Sequence, residues 1–146
     1  MTKSYYIKTL LGYMKIIVDN KYITNVKIID EYEFKNDRSN DKIYNDINNY
    51  LTHKSKRLIS KIAPNGTYFQ MKVWSAISGI KYGKTKTYGE IAKMIGHPKA
   101  YRAVANACKQ NKLPFFIPCH RVVSAKDIGG YVYGMTMKRE LLALES

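Results

Sequence analysis

Acidic residues are scarce in this chain. There are 11 Asp and Glu against 25 Lys and Arg, a formal net charge of +14. Such an excess favours a polyanionic partner, with nucleic acid the first candidate, although solvated lysines on an ordinary basic protein give the same sum. Cysteine is scarcer still. The two present, Cys108 and Cys119, are too few for a disulfide framework and fit a reducing compartment with both thiols free. The three histidines, His53, His97 and His120, make no spaced metal motif with them, so no metal and no cofactor is expected. No apolar run approaches a membrane span, and the N-terminal Met1-Thr2-Lys3-Ser4-Tyr5-Tyr6 has no signal-peptide core. The expectation is an intracellular, soluble protein, cytoplasmic or nuclear, with no membrane partner.

What is there suffices for a packed fold. The 146 residues, 45% hydrophobic, can bury a core as one fold or as two small lobes. Tyr5 to Leu10, Tyr13 to Val18 and Tyr22 to Ile29 are rich in Tyr, Ile and Val and read as hairpin strands, with turns at Gly12 and Asp19-Asn20-Lys21. Asp41 to Leu51 changes period: Ile43, Ile47 and Leu51 share a helical face. Arg57 to Ile62 reads as a further strand. Ala63-Pro64-Asn65-Gly66 then punctuates the chain, which places a lobe boundary between 1–62 and 63–146.

Beyond the boundary the pattern is helical. Thr67 with Gln70, and Thr87 with Glu90, have capping-box spacing. Phe69, Val73, Ile77 and Ile80 line one face of the first helix. The second helix runs through Ile91 and Ile95 and stops at Gly96, with Pro98 close behind. A third should run from Lys99 to Gln110, giving the outline of a helix-turn-helix, and a last from Met137 to Glu145. The fold class is α+β: a small β-rich lobe and a helical domain. Residues 1–62 carry 12 basic and 7 acidic residues, net +5; residues 63–146 carry 13 and 4, net +9, so the second part is the better candidate for phosphate contact.

Two segments there could carry chemistry. The third helix is slim, with Ala100, Ala103, Ala105 and Ala107, and it sets Arg102, Asn106 and Lys109 on one face. Such a helix can enter a narrow groove; small residues also serve tight helix packing. Pro118-Cys119-His120-Arg121 follows the apolar Leu113-Pro114-Phe115-Phe116-Ile117. His120 and Arg121 are local cations able to favour a reactive thiolate, yet a Cys-His pair equally suits a buried structural cysteine. Cys108, on the apolar side of its helix with Val104, reads as core. Spacing alone thus leaves open a helix-turn-helix DNA-binding protein with a structural cysteine, and a thiol hydrolase using Cys119 and His120.

The exact strings resemble one family. Ile117-Pro118-Cys119-His120-Arg121-Val122-Val123 is similar to the active-site signature of the O6-alkylguanine-DNA alkyltransferases. In order around it stand Gly66-Thr67-x-Phe69-Gln70-x-x-Val73-Trp74, Thr87-Tyr88-Gly89-Glu90-Ile91-Ala92, Pro98-Lys99-Ala100-x-Arg102-Ala103-Val104, Asn111, Gly130-Tyr131, Gly134, Lys138 and Leu141-Leu142-x-x-Glu145. The resemblance spans Gly66 to Glu145; residues 1–62 match only as a short β-rich lobe, of the ribonuclease H-like kind in that family. It implies a DNA-repair reaction in which Cys119 accepts the alkyl group once and irreversibly. It casts His120 as the residue taking the thiol proton through a water, Glu145 as the carboxylate orienting that histidine, and Asn111 as the brace between recognition helix and active site. Tyr88 becomes the residue that rotates a phosphate and hydrogen-bonds the flipped guanine, and Arg102 the one that fills the vacated stack. Ala100, Tyr101, Ala103, Asn106 and Lys109 would join Arg102 against the minor groove of double-stranded DNA containing O6-alkylguanine. Tyr131, Val132, Tyr133 and Gly134 would line the base pocket. Val132, Tyr133 and Asp127 depart from the pattern, so pocket width is open. A monomer is expected. The structural zinc of some relatives is not, since no cysteine precedes Cys108.

Overall fold

The computed structural model describes residues 1–36 and 40–146, and divides into two compact units, Met1–Pro64 and Asn65–Ser146. In the first, β1 (Thr2–Thr9), β2 (Gly12–Asp19) and β3 (Tyr22–Ile29) form an antiparallel meander in that order. Its second turn places Asn20 and Lys21 at φ 48° and 75°, the left-handed pair a two-residue hairpin turn requires. Alternate side chains Ile7, Met14, Ile16, Ile23 and Val26 are buried. The helix α1 (Asp41–Leu51) is capped by Asn40, whose side chain accepts from the Ile43 N–H, and it buries Ile43, Ile47, Tyr50 and Leu51.

The strand expected over Arg57 to Ile62 is not formed; only a single parallel bridge joins Ile62 to Ile23. The cause is Asp46 on α1. Its carboxylate accepts from the Ile59 and Ser60 N–H groups and from the Ser60 hydroxyl, satisfying donors that a ladder would otherwise have used.

The second unit contains α2 (Tyr68–Ser78), β4 (Lys86–Thr87), α3 (Tyr88–Met94), α4 (Tyr101–Lys109), β5 (Val122–Val123) and α5 (Met135–Glu145). Both capping boxes are complete: Thr67 and Gln70 bond reciprocally at α2, as do Thr87 and Glu90 at α3. Gly96 at φ 82° follows α3, as its sequence position foretold. Among the described residues five α-helices and a three-stranded antiparallel sheet make the α+β fold, and α3 and α4 with their short turn make the helix-turn-helix.

Three links position the site. The Trp74 indole N–H donates to the Ala107 carbonyl at 3.0 Å, pinning α2 to α4. Gly66 packs so closely on this ring that a Cβ would stand 2.6 Å from it. Parallel pairing of β4 with β5 then brings Tyr88, the first residue of α3, beside the segment that follows Cys119. No helix among the described residues is long and apolar enough to cross a membrane.

Candidate active site

Leu113 to Arg121 forms a compact chain reversal. Phe115 is buried with φ 56°, a left-handed conformation unusual for an aromatic residue, and short bonds run from Phe116 N–H to Pro114 O (2.7 Å) and from Cys119 N–H to Ile117 O (2.7 Å). Asn111 holds this turn to the end of α4. Its Nδ2 donates to Ile117 O at 2.9 Å and to Cys119 Sγ at 3.2 Å, while its Oδ1 accepts from Leu113 N–H. The Tyr133 hydroxyl donates to the Asn111 carbonyl at 2.6 Å.

Cys119 opens a short 3₁₀ turn, Cys119–Arg121, and is only 3% exposed. Burial pushes its thiol well above the usual thiol range; the neighbouring Cys108 thiol adds to the rise, and the Asn111 bond opposes it. The resting group is therefore a thiol, and a base must take its proton. His120 Nε2 lies 2.9 Å from Glu145 Oε2. A carboxylate only accepts, so the hydrogen belongs on Nε2 and Nδ1 carries the free lone pair. That Nδ1 is buried without a hydrogen-bond partner. Burial lowers the affinity of His120 for a further proton, against the pull of Glu145, so the ring is neutral near pH 7.

Arg121 forks onto Glu145, with Nε to Oε1 at 2.8 Å and Nη2 to Oε2 at 2.7 Å, and its Nη1 donates to Ile80 O. This corrects the expectation that Arg121 assists the thiolate: its charge is committed to the carboxylate that orients His120. Lys138, fully buried on α5, donates from Nζ to Val122 O (2.7 Å) and Gly130 O (2.8 Å); burial pulls its pKa down to about 8, and its charge is a small influence in favour of the Cys119 thiolate. A lysine on the face shared with Met137 and Leu141 was the available signal, and charge counting passes over it. Cys108 is likewise not core. It is half-buried in the last turn of α4.

Asn111 thus ties Cys119 to Tyr133, Glu145 ties His120 to Arg121, and the two networks meet where Cys119 and His120 are adjacent in the chain. Tyr88 stands at their margin, its hydroxyl 3.5 Å from Gly130 O and its ring against Gly129, where a Cβ would meet that hydroxyl at 2.7 Å. Tyr131 stacks edge-on against Tyr133 at 5.4 Å; Val132 is half exposed, and Gly134 at φ 100° starts α5. Asp127 accepts from Gly129 N–H and so shapes the loop leading to them. On α4, Tyr101, Arg102, Ala103, Asn106 and Lys109 are exposed and apart from the thiol, and Ala100 is half-buried at the helix start. Val104 and Ala107 face inward.

The model of the 6-O-methylguanine DNA methyltransferase DNA-binding domain matches residues 68–146. The chain belongs to this family. Among its relatives, the methylated-DNA–protein-cysteine methyltransferase of Methanosarcina acetivorans is 40% identical over 141 residues, covering 96% of this chain and 83% of that protein. The crystal structure of Mycobacterium tuberculosis O6-methylguanine methyltransferase superposes with a TM-score of 0.89 at 31% identity, covering 99% of this chain and 93% of that one. A structure of the M. tuberculosis protein in complex with DNA gives 0.87 at 31% identity, covering 97% and 92%. Methyltransferases of this family are DNA-repair proteins, and both the β-rich lobe and the helical unit lie within the matched length.

Proposed function

We propose that this chain removes the alkyl group from O6 of guanine in double-stranded DNA and keeps it on Cys119. The observation that carries the reading is the arrangement of a buried thiol, a neutral histidine with one open nitrogen, and a carboxylate already neutralised by Arg121. Sγ attacks the alkyl carbon as the carbon–O6 bond breaks. The thiol proton passes through a water to His120 Nδ1, and a proton returns to the departing guanine, so both products are neutral. Asn111 holds the sulfur on line. A thioether has no labile bond for water to cleave, so each chain acts once.

A base inside a duplex hides this carbon and must be extruded first. The exposed face of α4, where the small Ala103 stands beside Arg102, suits a minor groove, with Arg102 filling the vacated stack and Tyr88 meeting the turned-out base. Tyr131, Val132, Tyr133 and Gly134 would frame the pocket. On this reading residues 63–146 carry DNA binding and transfer, residues 1–62 support them, and the protein acts as a monomer inside the cell.

The test is intact mass after incubation with DNA carrying labelled O6-methylguanine. One methyl increment per chain is expected, mapped to Cys119 and absent from Cys119→Ser. Label on another residue, or sustained turnover as a thiol hydrolase would give, overturns the reading. DNA binding with no increment at all would favour a non-catalytic DNA-binding protein.

A further inference from the structure

The first unit carries a surface that alkyl transfer does not use. Ile7, Met14, Ile16 and Val26 point to the buried face of its sheet, so alternation sends Tyr6, Lys8, Tyr13, Lys15 and Lys27 to the other. The register sets Tyr6 opposite Lys15 and Lys8 opposite Tyr13, a chequerboard of rings and ammonium groups. Lys8 Nζ lies 5.6 Å from the centre of the Tyr13 ring, and Lys15 and Lys35 each lie 5.8 Å from that of Tyr6. Phe34 adds a third ring, 4.9 Å from Tyr13. All of these side chains belong to residues at least partly open to solvent. Their charge is uncompensated. Lys15 stands directly opposite Lys27, a like-charge cross-strand pair that disfavours the sheet. The three strands contain one carboxylate, Asp19, and the N-terminal ammonium takes it at 3.5 Å. Among the described residues, none of Lys8, Lys15, Lys27 and Lys35 pairs with a carboxylate. An anion set between Lys15 and Lys27 turns their repulsion into attraction.

We propose that this face binds single-stranded nucleic acid, with phosphates on the lysines and bases on Tyr6 and Tyr13. The occupant follows from the mixture of side chains. Lysines alone suit any polyanion, and a duplex keeps its bases stacked inside. Rings interleaved with cations suit a strand whose bases are free, since every base has a face to stack and every step a phosphate to pair. Tyr6 and Tyr13 are diagonal neighbours on adjacent strands, about 7–8 Å apart, so successive bases of an extended strand reach one ring each. Stacking a base on an aromatic ring is worth more than an exposed cation–π contact, so on binding the ammonium groups leave the rings for phosphates. No base edge is read, and sequence preference is weak. This surface is independent of alkyl transfer, and it gives the first unit a nucleic-acid contact of its own.

The experiment measures binding of the whole protein to a fluorescent oligothymidylate of about 8 nucleotides across a salt series. Lys15→Gln with Lys27→Gln should weaken binding roughly 10- to 30-fold in about 0.1 M salt, and flatten the slope of log affinity against log salt by about 1.4, the share of two single-strand phosphates. Removing that like-charge pair should leave the melting temperature unchanged or higher, so loss of fold does not imitate the effect. Tyr6→Leu should weaken binding with the slope unchanged. Ultraviolet cross-linking of the oligothymidylate to wild-type protein should mark Tyr6 or Tyr13, a readout that needs no variant. Binding of a hairpin duplex should be the same in wild type and in the lysine variant. Affinity and slope untouched by the lysine changes, or cross-links confined to residues 65–146, overturn the proposal. Equal weakening of single-strand and duplex binding also overturns it, since the face would then take any polyanion.

Discussion

Among the described residues each unit buries one carboxylate, and the two are used differently. Asp46 in the first unit accepts from the Ile59 and Ser60 N–H groups and the Ser60 hydroxyl, and it fastens a loop to α1. Glu145 in the second unit is gripped by Arg121 and, through His120, ends on a nitrogen with nothing to bond. In the unit of Glu145, burial displaces the proton affinities of Cys119, His120 and Lys138 together. A polar network that closes on itself serves folding. One left open at a single atom, among groups with displaced pKa values, is built to move a proton.

Substituting each carboxylate tests that contrast most sharply. Glu145→Gln removes the carboxylate charge that faces buried Arg121, a loss of about 3–5 kcal/mol, and should also abolish transfer in the molecules that remain folded. Asp46→Asn should cost about 1–3 kcal/mol through weakened acceptance of buried donors and leave transfer per folded molecule unchanged. Chemical denaturation paired with active-fraction titration measures both. Equal effects on transfer would erase the distinction.

The exposed face of α4 offers a second contrast, between extrusion and chemistry. Arg102→Ala should slow transfer from duplex DNA more than transfer from a free O6-alkylguanine base, because unstacking costs a few kcal/mol only in the duplex (about 10- to 100-fold in rate). Single-turnover rates on both substrates check this, and equal losses would remove Arg102 from the extrusion step.

Much of the fold was legible because its determinants are local. The capping boxes, the stop at Gly96 and the apolar face of α1 each depend on residues within one or two turns, and they appear where sequence places them. The Arg57 to Ile62 segment misled because its donors are taken by Asp46, 13 and 14 residues away. In the candidate site, Glu145 was reachable only through resemblance, since its bonds to His120 and Arg121 span 25 and 24 residues. The left-handed Phe115 and the commitment of Arg121 depend on tertiary packing, for which neither periodicity nor composition has a signal. The thiol of Cys108 was misread for a simpler reason: helical phase puts it beside Val104, but not how deep.

Packing yields a smaller effect. Cys119 lies among close-packed neighbours, and an added methyl overfills them. Alkylated protein should be less stable by about 1–3 kcal/mol, with a melting temperature lower by roughly 2–4 °C for each kcal/mol. A melting series of free, methylated and benzylated protein measures it, and constant midpoints would show spare room at the sulfur.

The smallest effect is on pH. Folded His120 binds its proton more weakly than an unfolded imidazole of pKa 6.5. The unfolded chain therefore takes up the proton first, so the contribution of His120 to stability is present above about pH 6.5 and is lost as pH falls below it. The neutral base likewise survives to lower pH than a free imidazole. Transfer rates should hold from about pH 7.5 to 6.5 and decline only below; a rate already halved above pH 7 would mean that another group limits the reaction.

The sealed position of Cys119 has one more consequence. A thioether formed at Cys119, a residue only 3% exposed, has no labile bond for water to cleave. On the proposed chemistry, each chain then stores a single event for the rest of its existence. The modified fraction of the population becomes a tally of lesions met since synthesis. The quantity that limits protection is the number of unmarked copies in hand, so this protein behaves as a dosimeter as much as a catalyst.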